Sequence, residues 1–167
     1  MPTLDLNRHE NLMPVAAFLL GQIDFGRSRL LASFKEMTPE QLAKTPAGFG
    51  NSIATLVLHI ATTEVGFAHA IMGKPVPEAL AAEFPKHMPA TPLPAMAAGA
   101  TAQDLTAKLE KSRALLAEAL GTLTLADLTR ELPLGPDRSA TVQWLIGILP
   151  GHQNLHLGHI QMILKHL

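Results

Sequence analysis

The sequence predicts an all-α chain folded as a four-helix bundle, with a long crossover between its second and third helices. Three observations carry that prediction. Apolar residues recur at 3-4 spacing in four separate long stretches. No run alternates apolar and polar with the period of two that a half-buried strand requires. Six of the 13 prolines crowd between Lys74 and Gly99, dividing the second stretch from the third. At 167 residues, a single domain over 1–167 is long enough to bury a core.

The elements follow in order. Residues 1–12 read as a polar lead-in, and Pro14 suits a first helical position. Val15, Phe18, Leu19, Gln22, Phe25, Leu30, Phe34 and Met37 then recur at helical spacing, with Gln22 read as lying on a bundle edge or, as the alternative, facing a polar interior. Thr38, Pro39, Glu40 and Gln41 form a cap and a short helical turn, and residues 45–50 are loop. Asn51 or Ser52 caps the second helix, whose apolar face is Ile53, Leu56, Val57, Ile60, Phe67 and Ile71; Gly73 and Pro75 end it. The segment Lys74–Gly99 is a crossover, long enough to be functional and placed to cover a pocket, with a short helix at Glu78–Phe84. Thr101 and Asp104 open the third helix as a capping box, Leu105, Leu109, Leu116, Leu120 and Leu123 form its stripe, and Gly121 marks its end. A short helical segment at Ala126–Arg130 and a turn through Pro133, Gly135, Pro136 and Asp137 follow. Ser139 is expected to cap the last helix, and Pro150 within it to force a kink or a restart.

Composition narrows the function classes. The 13 basic and 14 acidic side chains nearly balance, and no basic cluster appears, which argues against a nucleic-acid partner. Charged residues make up 16% of the chain and mean hydropathy is +0.20, so a homodimer face is expected. No apolar run is expected to reach the ~20 residues of a membrane span, and the first residues lack a signal-peptide pattern, so a cytoplasmic protein is expected. With no cysteine, the chain has neither thiolate ligands nor a thiol nucleophile of its own.

The chemistry gathers in the last helix. Leu145, Leu149, His152, His156, His159 and Ile163 follow a 3-4 alternation, so three histidines stand where a core stripe calls for Leu or Ile. Burying imidazoles costs free energy unless their nitrogens find partners. Two readings stay open for His152 and His156: hydrogen-bonded interfacial histidines, or a metal chelate, since His-x-x-x-His stacks two imidazoles on adjacent turns. Gln153 stands where a zincin would carry its catalytic Glu. His59 lies beside the apolar stripe of the second helix and would supply a third ligand if the second and last helices are neighbours. His159 has the phase of a ligand, and also suits an outer-shell or proton-transfer group. His9, His69, His87 and His166 read as peripheral.

Several segments together resemble one family. These are Met37-Thr38-Pro39-Glu40-Gln41-Leu42, the helix carrying Ser52 to His59 and Ile60, the segment Thr141-Val142-Gln143-Trp144-Leu145, and the run His152-Gln153-Asn154-Leu155-His156-Leu157-Gly158-His159-Ile160. In order and spacing they are similar to the DinB/YfiT-like superfamily of metal-binding four-helix bundles. The resemblance implies that His59, His152 and His156 are the metal triad, and His159 stands where the family usually has Gln. It also implies a thiol-dependent S-transferase, in which Zn²⁺ or Ni²⁺ held by imidazoles activates a low-molecular-weight thiol toward a small electrophile. A metal-dependent hydrolase with His159, or more weakly Glu64, as its acid–base group is a second enzymatic reading. A non-catalytic metal-binding stress-response bundle is the reading from another class.

Overall fold

The computed structural model describes residues 9–85, 98–134 and 137–167. Its elements are α1 (Pro14–Phe34), α2 (Pro39–Ala43), α3 (Ile53–Met72), α4 (Glu78–Glu83), α5 (Ala102–Gly121), a 3-10 turn (Leu125–Thr129), β1 (Glu131–Pro133), β2 (Ser139–Thr141) and α6 (Val142–Leu164). The four long helices α1, α3, α5 and α6 form the bundle.

Local chemistry sets the helix limits. Thr38 and Thr101 close reciprocal capping boxes with Gln41 and Asp104, and the Ser52 hydroxyl accepts from the Thr55 N–H. Gly73 ends α3 in the left-handed region at φ 66°, where a side chain would be strained. Thr124 and Asp127 form a further capping box on the 3-10 turn.

Core membership fixes the direction of each helix. Leu56, Val57 and Ile60 from the start of α3 pack with Leu105 and Leu109 from the start of α5, and with Leu157, Ile160 and Ile163 from the end of α6. At the other end, Ala68 and Ile71 meet Leu116, Leu120, Val142 and Ile146. Thus α3 and α5 run parallel, α6 runs against them, and α1 runs with α6. A parallel neighbour can be reached only by returning the length of a ~30 Å helix, which is why the 74–100 connection is long. Its Glu78–Glu83 helix is as expected, while Lys86–Ala97, including His87, lies outside the described residues.

Five expectations need correction. Ser139 belongs to β2, and Thr141 is the cap of α6, its hydroxyl accepting from the Trp144 N–H. β1 and β2 pair antiparallel, Leu132 opposite Ala140, in strands of three residues, too short for any alternation to register. Pro150 causes no restart: α6 continues through it, losing one backbone bond while the ring is buried. Val15, Phe18 and Phe25 are exposed, and α1 turns Ala16, Ala17, Leu20, Ile23, Arg27, Leu30 and Phe34 inward. Finally, α3 is long and apolar enough to cross a membrane by length and composition alone, yet it is mostly buried, as a core helix is.

Candidate metal centre

Three imidazoles converge between α3 and α6. The Nε2 atoms of His59 and His152 lie 2.9 Å apart, and those of His152 and His156 lie 3.2 Å apart. Their ring centroids are separated by 4.5–4.9 Å, with the rings steeply tilted. Antiparallel packing brings His59, in the first half of α3, level with the middle of α6. The i, i+4 spacing then places His152 and His156 one above the other facing it.

The donor set fits a divalent metal. Two nitrogens bound at 2.0–2.1 Å in a tetrahedral site are about 3.3 Å apart, close to the two separations observed. All three donors lie within 4.8 Å of one another. Burial lowers the pKa of His152 to about 4, aided by the charge of His59. Burial likewise lowers that of His156 to about 4, aided by His152 and His159. Both rings are therefore neutral at pH 7 and keep a lone pair for a metal. The buried Nδ1 of His156 has no protein partner. That is the condition of a group whose fold-internal hydrogen bonding is incomplete.

His159 does not join the triad. It is exposed, with its ring centroid 5.5 Å from that of His156. The core line of α6 is Leu145, Leu149, Gln153, Leu157, Ile160 and Ile163, and the histidines occupy its edge toward α3. This is a correction to the stripe read from sequence. His69, expected at the periphery, is buried with neither ring nitrogen partnered. His166 is exposed, as expected, and tilts against Phe49. His9 is half-buried and 2.8 Å from Asp24, which Arg113 also grips at 2.5 and 2.8 Å. Burial works to raise the pKa of Asp24, but the hydrogen bonds and charges of Arg113 and His9 outweigh it and leave the carboxyl below its ordinary range.

Glu64 is not at the metal centre. It is 2% exposed and ion-paired with Arg27, and accepts from the Ser112 hydroxyl at 2.6 Å. The Arg27 Nε donates to Gln153 Oε1 at 2.8 Å, and its Nη1 to the Leu109 carbonyl at 2.9 Å. Gln153 in turn donates to the Ile23 carbonyl at 2.9 Å. Arg27, Ser112 and Gln153 were not singled out from the sequence as parts of a site, although each interrupts an apolar stripe: Arg27 between Ile23 and Leu30, Ser112 between Leu109 and Leu116, and Gln153 between Leu149 and Leu157.

The profile of the DinB superfamily matches residues 22–160, a span that includes α3, the crossover and all three converging histidines. The chain belongs to the DinB superfamily. Its structure is also similar to the crystal structure of a conserved protein from Enterococcus faecalis, with TM-score 0.71 and 18% identity over 90% of this chain and 95% of that one. At that identity the likeness shows the bundle fold alone. No curated protein matches the chain significantly. Within a DinB bundle, then, three histidines stand where a metal ion could be held.

Proposed function

We propose that this DinB protein is a cytoplasmic, homodimeric, metal-dependent thiol S-transferase, with Zn²⁺ or Ni²⁺ held by His59, His152 and His156. The observation that carries the reading is the meeting of three imidazole Nε2 atoms from two helices. A divalent metal bound there supplies Lewis acidity that favours the thiolate form of a small thiol at neutral pH. The chain's own part is threefold. His152 and His156, neutral at pH 7, offer lone pairs without adding charge, and His59 faces them as the third donor. The helices α3 and α6 carry no Asp, Glu, Lys or Arg except Glu64, whose charge Arg27 neutralises in the core. His159, exposed beside His156, would accept the proton the thiol loses, and the thiolate then forms the new carbon–sulfur bond as the leaving group departs with its electron pair. The exposed apolar residues Trp144, Ile148, Leu155 and Met162 of α6 support the dimer.

A metal-binding bundle without chemistry is the second reading, favoured by the withdrawal of Glu64 into the core, which leaves His159 as the acid–base candidate beside the triad. The test starts with metal analysis of protein purified without an affinity tag. His59→Ala and His152→Ala are expected to abolish bound metal; unchanged metal content in both would refute the triad. Model electrophiles are then assayed with a panel of low-molecular-weight thiols. Metal-dependent thiol consumption, lost in His159→Gln while metal is retained, supports the transferase. Turnover without thiol indicates a hydrolase, and silence in both panels indicates the binding protein.

A further inference from the structure

One guanidinium joins the two helices that carry the triad. Arg27 stands on α1, diagonally across the bundle from α3, and its side chain crosses the core. One limb meets Glu64 of α3, and Nε donates to Gln153 of α6 at 2.8 Å. Nη1 reaches the Leu109 carbonyl of α5 at 2.9 Å, and Ser112 of α5 completes the carboxylate at 2.6 Å. Arg27, Glu64, Ser112 and Gln153 are all buried, and each comes from a different long helix. Glu64 lies five residues after His59, and Gln153 directly follows His152. The close approach is built in as well: a Cβ on Gly26 would lie 2.5 Å from Gln153 Nε2 and 2.9 Å from Asn154 Oδ1.

We infer that Arg27, gripping Glu64 and Gln153 at once, is a positioning residue that fixes the register of α3 against α6 and thereby brings His59 to His152 and His156. Apolar contacts between antiparallel helices tolerate small slides, whereas a forked guanidinium accepts few geometries. Buried ionic groups are best attested in this registry role, because apolar replacements of similar volume are often as stable. The triad needs its register held within fractions of an ångström, since a misplaced donor leaves the coordination sphere. The inference rests on the triad reading, and its test separates the two.

The test uses two variants of the full chain. Arg27→Met/Glu64→Leu removes both charges together, and Arg27→Lys keeps the charge but loses the fork. Co²⁺ affinity is read from visible absorption beside the thermal midpoint. A metal-free readout uses a His59→Cys/His152→Cys background, clean because the chain has no other cysteine, in which dibromobimane fluoresces on bridging the two thiols. Co²⁺ binding is expected to weaken roughly 10- to 100-fold and bridging to slow, in variants that still unfold cooperatively near the parental midpoint. Parental Co²⁺ affinity in such a variant overturns the inference. If the parent takes up no Co²⁺, the triad reading falls and bridging alone decides: slowed bridging upholds the register role, parental bridging sinks it. If both variants fail to fold, Gln153→Met, which leaves the ion pair intact and cuts only the α6 grip, decides by the same two measurements.

Discussion

Two polar clusters inside this bundle, the one closed around Arg27 and the one formed by the three histidines, differ in how their hydrogen bonds are met. In the Arg27–Glu64–Ser112–Gln153 network each side chain has a partner, and every member is buried. The histidine triad is half-buried, its Nε2 atoms point at one another, and one buried Nδ1 has no partner. A polar cluster closed on itself acts on the fold, whereas one that converges and stays incomplete is a place for a ligand. Breaking the closed cluster should therefore cost stability first. Arg27→Met alone leaves the Glu64 carboxylate buried without its cation, and a loss of about 3–5 kcal/mol is expected in urea unfolding. His156→Ala removes no internally required bond and should unfold, metal-free, close to wild type. Equal losses in the two variants would erase the distinction.

Legibility in the sequence follows the range of the interaction involved. The caps at Thr38, Ser52 and Thr101 and the stop at Gly73 were readable because each depends on residues within one helical turn. The i, i+4 pair His152 and His156 was readable for the same reason. His59 needed the antiparallel pairing of α3 with α6, which spacing on a single helix does not contain, and family resemblance supplied it. The inward face of α1 was misread because its buried side is made largely of Ala16, Ala17, Gly21 and Gly26, which carry little hydrophobic signal, while Phe18 and Phe25 face outward. That misphasing conceals Arg27, and without Arg27 nothing in the sequence pairs Glu64 with a buried cation. A polar residue in a core slot of each long helix was the available signal.

Acid should act on the open cluster before the closed one. In the metal-free protein His152 and His156 are lowered to about 4 by burial and by their histidine neighbours, against 6.5 in the unfolded chain. Above pH 6.5 neither state binds the extra protons, so nothing is lost. Between 6.5 and about 4 the unfolded chain takes up protons that the folded rings refuse, and stability falls with pH. After allowing for the partial exposure of both rings, the loss is on the order of 1–2 kcal/mol per histidine. Asp24, whose folded carboxyl lies below its ordinary range, adds a loss only below about pH 4, as its unfolded form is protonated first. Urea midpoints should therefore stay level from pH 8 to about 6.5 and fall from there to pH 5 in wild type, and fall less in His152→Ala/His156→Ala. Parallel slopes would assign the acid sensitivity elsewhere.

The smallest effect concerns the approach of α1 to α6. Replacing a mid-helix glycine by alanine ordinarily stabilises a helix by roughly 0.5–1 kcal/mol. At Gly26 the added carbon would sit 2.5 Å from Gln153 Nε2 and 2.9 Å from Asn154 Oδ1, so one helix or both side chains must move. Asn154 is exposed and can swing away; Gln153 is buried and held by Arg27 and the Ile23 carbonyl, and cannot move without opening the closed network. Overpacking of this kind costs about 1–3 kcal/mol, which outweighs the helical gain, and Gly26→Ala should be destabilised by about 1–2 kcal/mol net. The second variant that gives this meaning is Gly26→Ala/Gln153→Ala. If the clash with Gln153 is the cause, adding alanine at 26 to a chain already lacking that amide should cost nothing further or stabilise. A penalty that persists without the Gln153 side chain would place the constraint in the helix backbones, and the network would then follow the α1–α6 approach rather than depend on it.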